Sequence, residues 1–283
     1  MPDNLNIAIK KSSEIWTNPI LRWAGSKKKL LPILLKNIPN NINRYVEPFC
    51  GSACLFFALR PQKAILSDLN NELMHTYAQL KKHPKILHRL ASSYSTENEE
   101  YLRIRAQNPE ALTPIDRAAR FIYLNRHCFN GVYRTNRQGQ FNVPQGNRTG
   151  AFPESKHFLR CSIALRDAEL KACNYKTIIT RVKKGDFVYL DPPYAKADSR
   201  NRGEYGPKSF TYADLPDMLS QLAEINRSGA TFLFSYCLEP NHIEYFRENW
   251  NVEVIKVQRH VAGFSKHRNK VSEILVSNRK ITV

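Results

Sequence analysis

The chain has 283 residues, with 43 Lys and Arg against 25 Asp and Glu, a formal net charge of +18 and a pI near 9.7. Hydrophobic residues make up 42% of it, enough to bury a sizeable core and too many for a chain that is mainly disordered. No run reaches the roughly 18 consecutive apolar residues of a membrane span, the start MPDNLNIAIKK lacks the apolar stretch of a signal peptide, and the chain reads as cytoplasmic, with acidic partners first in line.

In chain order, Arg22-Trp23-Ala24-Gly25-Ser26-Lys27 comes first, a glycine turn with an aromatic and a cation before a helix, suited to a phosphate or a carboxylate. The G-x-x-x-x-G-K-S/T phosphate loop is absent, which disfavours nucleoside triphosphate hydrolysis. Residues 44–49, RYVEPF, read as a strand that ends at the turn Gly51-Ser52-Ala53, followed by the apolar helix CLFFAL and a second strand at 63–68, KAILSD. This is a βαβ unit. Gly51 lets a ligand approach the backbone, and Asp68, at the end of the second strand, can accept both hydroxyls of a ribose, with helix capping as the competing reading.

From about 70 to 128 the pattern is helical, with capping boxes at Thr96–Glu99 and at Thr113–Asp116, the latter followed by Pro114 in the first helical position. Residues 130–147, NGVYRTNRQGQFNVPQGN, carry Asn-Gly and Gln-Gly punctuation and read as a β-hairpin or a long structured loop. Strand patterns resume at 177–179, 186–190, 230–235, 252–258 and 271–277, so an α/β domain is interrupted by a helical insertion.

Charge is unevenly spread. Between Arg117 and Pro153 there is no Asp, Glu or Lys, yet Arg117, Arg120, Arg126, Arg134, Arg137 and Arg148 lie there among five asparagines. Forked guanidinium donors suit phosphates and guanine edges, which points to nucleic acid. The six cysteines, at 50, 54, 128, 161, 173 and 237, show no Cys-x-x-Cys zinc spacing and read as reduced, mostly buried thiols, with no metal.

The sharpest signal is Asp191-Pro192-Pro193-Tyr194, directly after the strand DFVYL. Ligands of open α/β sheets bind outside the carboxyl ends of strands, and two prolines keep the backbone there extended and rigid. The Asp191 carboxylate and the Pro192 carbonyl can both accept hydrogen bonds from one NH2 group while the ring of Tyr194 stacks on a flat heteroaromatic. An exocyclic amine of adenine or cytosine fits that arrangement.

At this point the chain resembles the Dam-type (D12 class, alpha group) DNA adenine-N6 methyltransferases over nearly its whole length. RWAGSKKKLL is similar to the family's N-terminal motif, VEPFCGSACLFF to its F-x-G-x-G motif, SDLN to its ribose-binding acid, DPPY to its catalytic motif, and residues 124–147 to its DNA-recognising hairpin. Ala53 departs from the pattern, standing where the family usually has a second glycine. The resemblance implies a Rossmann-like methyltransferase sheet with helices on both faces, built from residues 1–70 and 171–283 and interrupted by a mostly helical target-recognition domain, 71–170, whose hairpin spans about 129–147. It implies S-adenosyl-L-methionine held by Trp23, Lys27, Phe49, Gly51, Asp68 and Asp191, and catalysis by Asp191, Pro192, Pro193 and Tyr194. Contacts to double-stranded DNA fall to Phe129, Asn130, Val132, Arg134, Pro144, Asn147 and Arg148, with Arg134 as base reader, a GATC-like target and a monomeric enzyme. Arg117, Arg120 and Arg126 are expected to serve phosphates. Cytosine N4, adenine in RNA, a protein glutamine amide and a non-catalytic DNA-binding protein of the same fold are the competing readings; Asp rather than Asn at 191 leans away from glutamine.

Overall fold

The computed structural model describes residues 17–136, 138–147, 149–193, 210, 212–237, 243–258 and 270–283. Its strands are β1 (Arg44–Glu47), β2 (Ala64–Asp68), β3 (Ala168–Ala172), β4 (Asp186–Leu190), β5 (Thr231–Tyr236), β6 (Asn251–Gln258) and β7 (Lys270–Ser277). They form one sheet in the order β3-β2-β1-β4-β5-β7-β6, parallel through β5 and antiparallel where β7 joins β5 and β6 joins β7. Apolar residues fill both faces because successive side chains point to opposite sides. Tyr45, Leu66, Phe187, Tyr189 and Leu233 face one core, and Val46, Ile65, Val188, Leu190, Phe232 and Phe234 the other.

The helices are α1 (Leu31–Lys36), α2 (Cys54–Leu59), α3 (Asn71–Lys82), α4 (Pro84–Ser93), α5 (Asn98–Ala106), α6 (Pro114–His127), α7 (Ser155–Leu165), α8 (Tyr175–Ile179), α9 (Leu215–Arg227) and α10 (Glu244–Arg247). Side chains of α1, α2 and α3 enter the first core, and those of α8, α9 and α10 the second. The first core runs on without a break into Leu87, Phe121, Phe158 and Leu165 of α4, α6 and α7, so the helical insertion and the sheet share it. Strand β3 begins at Ala168 and straddles the boundary expected between residues 170 and 171.

Two local expectations need correction. Residues 177–179 are helical, not a strand: they lie in α8, whose start is capped by the Asn174 side chain accepting from the Lys176 amide at 3.0 Å. The strand that precedes it, β3, is the edge sequence AELKA, partly exposed and polar, and therefore lacks the apolar run that marks the inner strands. Likewise Thr96 caps nothing, because α5 starts at Asn98 with Glu97 in the capping position and no side-chain cap. Thr113 does cap α6, accepting from the Asp116 amide at 3.3 Å.

The expected hairpin is a loop strapped at two points. Isolated antiparallel bridges join Cys128 to Gln145 and Thr135 to Phe141, and the Asn142 amide donates to the Arg134 carbonyl at 3.2 Å. A small core of Tyr101, Ile104, Tyr123, Leu124, Cys128 and Val143 seats it on α5 and α6. Among the described residues no helix is long and apolar enough to cross a membrane, none of the six cysteines is in a disulfide, and no group of His, Cys, Asp and Glu is placed to hold a metal.

Candidate active site

Three carboxylates stand at the carboxyl ends of three neighbouring strands: Glu47 closes β1, Asp68 closes β2 and Asp191 follows β4. The strand order reverses between β1 and β4, which opens a crevice at that edge of the sheet. Trp23, Lys27, Phe49, Gly51, Asp68, Asp191, Pro192 and Pro193 all line it, so the structure gathers the residues expected to hold a cofactor and the described part of the expected catalytic motif in one place. Tyr194 lies outside the described residues.

Asp191 is the most constrained member. The buried Lys27 ammonium donates to its Oδ1 at 2.6 Å and its Oδ2 at 2.7 Å, and Ser235 Oγ on β5 donates to Oδ1 at 3.0 Å. Tyr189 Oη meets Ser235 Oγ at 3.1 Å, extending the chain of polar contacts into the sheet. Burial raises the Asp191 carboxyl above its ordinary value, Lys27 pulls it back, and the buried Glu273 on β7 pushes it up again. Ser235 carries no sequence signal, because a serine in an apolar strand reads as an ordinary sheet residue.

Glu47 is the acid that sequence reasoning passed over, although its place at a strand end before a glycine turn is a usable sign. It is buried, accepts from the Tyr45 hydroxyl at 2.9 Å, and is held well above the usual carboxylate range by burial and by the neighbouring Asp191 and Asp68. Asp68 is not a helix cap. That position belongs to Asn70, whose side chain accepts from the Leu73 amide, while Asp68 accepts from the Gly51 amide at 3.0 Å and the Asn70 amide at 3.0 Å. Burial raises Asp68 as well, against these backbone donors.

The crevice walls follow from two backbone conformations. Gly51 has φ +45°, and a Cβ there would lie 2.6 Å from Trp23 Cδ1, so the indole rests on the bare backbone of the turn. Ala53, with φ 52°, holds a left-handed position with a side chain present, which explains the family's usual glycine there. Phe49 packs on Tyr175 at 4.9 Å and on Phe210 edge-on at 6.1 Å, forming an aromatic floor. With Glu47, Asp68, Asp191 and Asp214 against Lys27 and Lys176, the lining is acidic inside a chain of net charge +18.

Trp23 also ties this crevice to the hairpin, stacking on Tyr133 at 5.9 Å and 16°, while Tyr133 packs on Phe121 and Phe141. The Asn125 side chain grips both the amide and the carbonyl of Arg22, at 2.8 and 2.7 Å. On the hairpin, Phe129 is 47% exposed and stands outside the small core beneath it. Asn130, Pro144 and Asn147 are exposed, Val132 and Arg134 half-buried, and Arg134 Nε donates to Asn142 Oδ1 at 2.8 Å; Arg148 lies outside the described residues.

The helix arginines do not face a phosphate as expected. Arg117 pairs with Glu72 and, at 3.0 Å, with Glu110. Arg120 is buried and donates to the Ile104 and Arg105 carbonyls, and Arg126 donates to the Ala151 carbonyl. All three lie on one helix, but their partners are carbonyls and acids of the protein itself.

Residues 23–262 match the family model of the D12 class N6 adenine-specific DNA methyltransferases. The chain belongs to that family. It is 31% identical over 278 residues to the type II methyltransferase M1.LlaDCHI of Lactococcus lactis subsp. cremoris, covering 95% of this chain and 98% of that one. It is 31% identical over 264 residues to a DNA adenine methylase of Vibrio cholerae, covering 90% and 94%. As a D12 class enzyme this methyltransferase acts on adenine N6 of DNA, and its mixed seven-stranded sheet with helices on both faces is the Rossmann-like methyltransferase fold. The non-catalytic, glutamine and cytosine readings are set aside by that membership.

Proposed function

We propose that this methyltransferase takes its methyl group from S-adenosyl-L-methionine and acts as a monomer on duplex DNA at a GATC-like site, with the target adenine turned out of the helix. The observation that carries the reading is Asp191, held by hydrogen bonds at the carboxyl end of β4 on a rigid Pro-Pro run, in one crevice with Asp68. The acidic lining suits a sulfonium and an ammonium and repels a polyphosphate cofactor. When bound, the cofactor supplies an electrophilic methyl group. Asp68 would take the ribose hydroxyls, Lys27 the carboxylate, and Trp23, Phe49 and the bare backbone of Gly51 would form the remaining walls, a reading supported by their sharing one crevice.

Asp191 and the Pro192 carbonyl would each accept one N–H of the target amine, drawing N6 toward tetrahedral geometry and freeing its lone pair from the ring. N6 would take the methyl as the methyl's bond to the sulfonium sulfur breaks, the electron pair staying on sulfur, and would lose one proton to the Asp191 carboxylate or to water, with no covalent bond to the enzyme, since no Pro-Cys nucleophile is present in the sequence. Tyr194 would stack on the extruded base. Phe129, exposed at the start of the hairpin, would fill the gap it leaves. Arg134, whose Nε and Nη2 rest on Asn142 at 2.8 and 3.5 Å, would leave that residue to read a guanine, and Asn130, Val132, Pro144, Asn147 and Arg148 would complete the contacts of the insertion spanning residues 71–170. We place the enzyme with the chromosome in a prokaryotic cytoplasm.

Transfer of labelled methyl from S-adenosylmethionine to a duplex with one GATC, against duplexes with single-base changes, tests the reading. Asp191→Ala should lower turnover at least about a hundredfold, as for removal of one organising polar contact. Wild-type turnover in that variant, or equal transfer to every duplex, overturns the role of Asp191 or the site preference respectively.

A further inference from the structure

Asp191 ends a line of hydroxyls that runs up through the sheet. Ser235 lies one residue past Phe234, the β5 partner of Leu190, so it stands beside Asp191, and Tyr189, two residues before Asp191, points to the same face. Ser235 Oγ donates to Asp191 Oδ1 at 3.0 Å and meets Tyr189 Oη at 3.1 Å. A hydroxyl has one proton to give. With that of Ser235 on Asp191, Tyr189 is the donor to Ser235, and both hydroxyls are aligned toward the carboxylate.

Ser235 is 0% exposed and Tyr189 1%. A hydroxyl buried in the apolar run Phe232-Leu233-Phe234 to Tyr236 is unfavourable unless it is hydrogen-bonded, so Ser235 depends on these two partners in a place where alanine would need none. The two donors on Asp191 also face different surroundings. Lys27 lines the crevice, within reach of a ligand, whereas Ser235, with no exposed surface, lies behind Asp191. A ligand in the crevice can draw on Lys27 and cannot reach Ser235.

Oδ1 accepts from both Lys27 and Ser235, and Oδ2 from Lys27 alone. A carboxylate oxygen takes about two hydrogen bonds, so the position still open is on Oδ2. The Asp191 side chain is 18% exposed and lines the crevice.

We propose that Ser235, backed by Tyr189, is a positioning residue for methyl transfer: it pins Oδ1 of Asp191 from behind the crevice and thereby turns the open position, on Oδ2, to the target amine. This rests on the role given to Asp191 above. The residue acts only through Asp191 and touches neither cofactor nor base.

The test is a double-mutant cycle read by single-turnover methyl transfer with S-adenosylmethionine and duplex DNA saturating. Ser235→Ala should slow transfer about tenfold or more, the scale of one hydrogen bond to a charged group, with affinities for S-adenosylhomocysteine and for duplex DNA within about twofold of wild type. In the Asp191→Ala background the same substitution should change the rate by less than about twofold. Tyr189→Phe, which removes one oxygen and keeps the ring, should slow transfer in the same direction and also lose its effect in Asp191→Ala.

An equal loss from Ser235→Ala with and without Asp191 marks a merely structural role and overturns the proposal. A wild-type rate in Ser235→Ala overturns it as well, and if that variant does not fold, a wild-type rate in folded Tyr189→Phe does so in its place. A crystal structure with S-adenosylhomocysteine and duplex DNA should show adenine N6 on Oδ2 with Ser235 still on Oδ1; N6 on Oδ1 with Ser235 displaced contradicts it. Full turnover in Asp191→Ala removes the role of Asp191 and this proposal with it, whereas a slow Asp191→Ala beside an unaffected Ser235→Ala removes this proposal alone.

Discussion

Glu47 lies at the base of an acidic crevice, and its chemistry sets a pH dependence. Burial first, then Asp191 and Asp68, hold its carboxyl well above the usual range, and the Tyr45 hydroxyl only partly offsets them. A raised carboxyl pKa means that the folded protein binds the proton more tightly than the unfolded chain. The stability from this group is therefore complete below the unfolded value, about 4.3, and is lost as pH rises through the folded one. Glu47→Gln should remove that loss, so the difference in Tm between variant and wild type should grow in the variant's favour from pH 4.5 to neutrality. A pH-independent difference in thermal melts contradicts it. A cationic ligand acts the other way: it favours the ionised carboxylate, so cofactor binding should tighten with rising pH over that window and release protons. Of these residues, Asp68 and Asp191 were legible because each ends a strand pattern in a short motif, whereas Ser235 and the Lys27–Asp191 pair were not, since contacts between residues 44 and 164 positions apart leave no local trace.

At the scale of elements, the hairpin and α6 divide the arginines between two tasks. Arg134 sits on the exposed loop strapped by the Thr135–Phe141 bridge, and Arg117 is locked to Glu72 and Glu110. Arg134→Ala should cost about 1–3 kcal/mol of discrimination between matched and single-mismatch duplexes while leaving the melting temperature near wild type. Arg117→Ala should do the reverse, lowering stability by about 1.5–3 kcal/mol through loss of charged hydrogen bonds with site preference intact. Binding assays on matched duplex sets, alongside denaturant melts, distinguish the two, and a uniform loss of affinity in Arg134→Ala places base readout elsewhere. The same elements show where pattern reading works. Strands β1, β2, β4 and β5 are apolar on both faces and were found from their runs, while β3 is a polar edge strand and α8 a helix of five residues too short to show a period. The arginines of α6 misled because an arginine's partners are tertiary: Glu72 belongs to α3, and the carbonyls that hold Arg120 to α5.

The whole molecule sets a net charge of +18 around a crevice whose charged lining is mainly acidic. These two features answer differently to salt. Association with DNA lacking the target site releases counterions, so its affinity should fall by about a hundredfold or more between 50 and 200 mM salt. Cofactor affinity, set by buried charges that salt screens poorly, should change far less over that range. Parallel titrations in both salts check this, and an equal salt response of the two ligands would show that the crevice is open to the bulk. An α/β domain interrupted by helices was legible from strand and helix patterning, but the strand at which the chain returns to the sheet, β3, was not. The continuous core shared by the sheet and the helical insertion was not, because the residues that build it, such as Leu55 of α2 and Phe158 of α7, are distant in sequence and carry only the generic mark of apolarity.

The most direct test of the account is the chemical identity of the product. Duplex DNA incubated with the enzyme and methyl-labelled S-adenosylmethionine, then digested to nucleosides and separated, should carry the label in N6-methyldeoxyadenosine alone, and Asp191→Ala should reduce that yield about a hundredfold or more. Label in N4-methyldeoxycytidine, or none in DNA from a folded enzyme that binds S-adenosylhomocysteine, would contradict the assignment of this crevice to adenine.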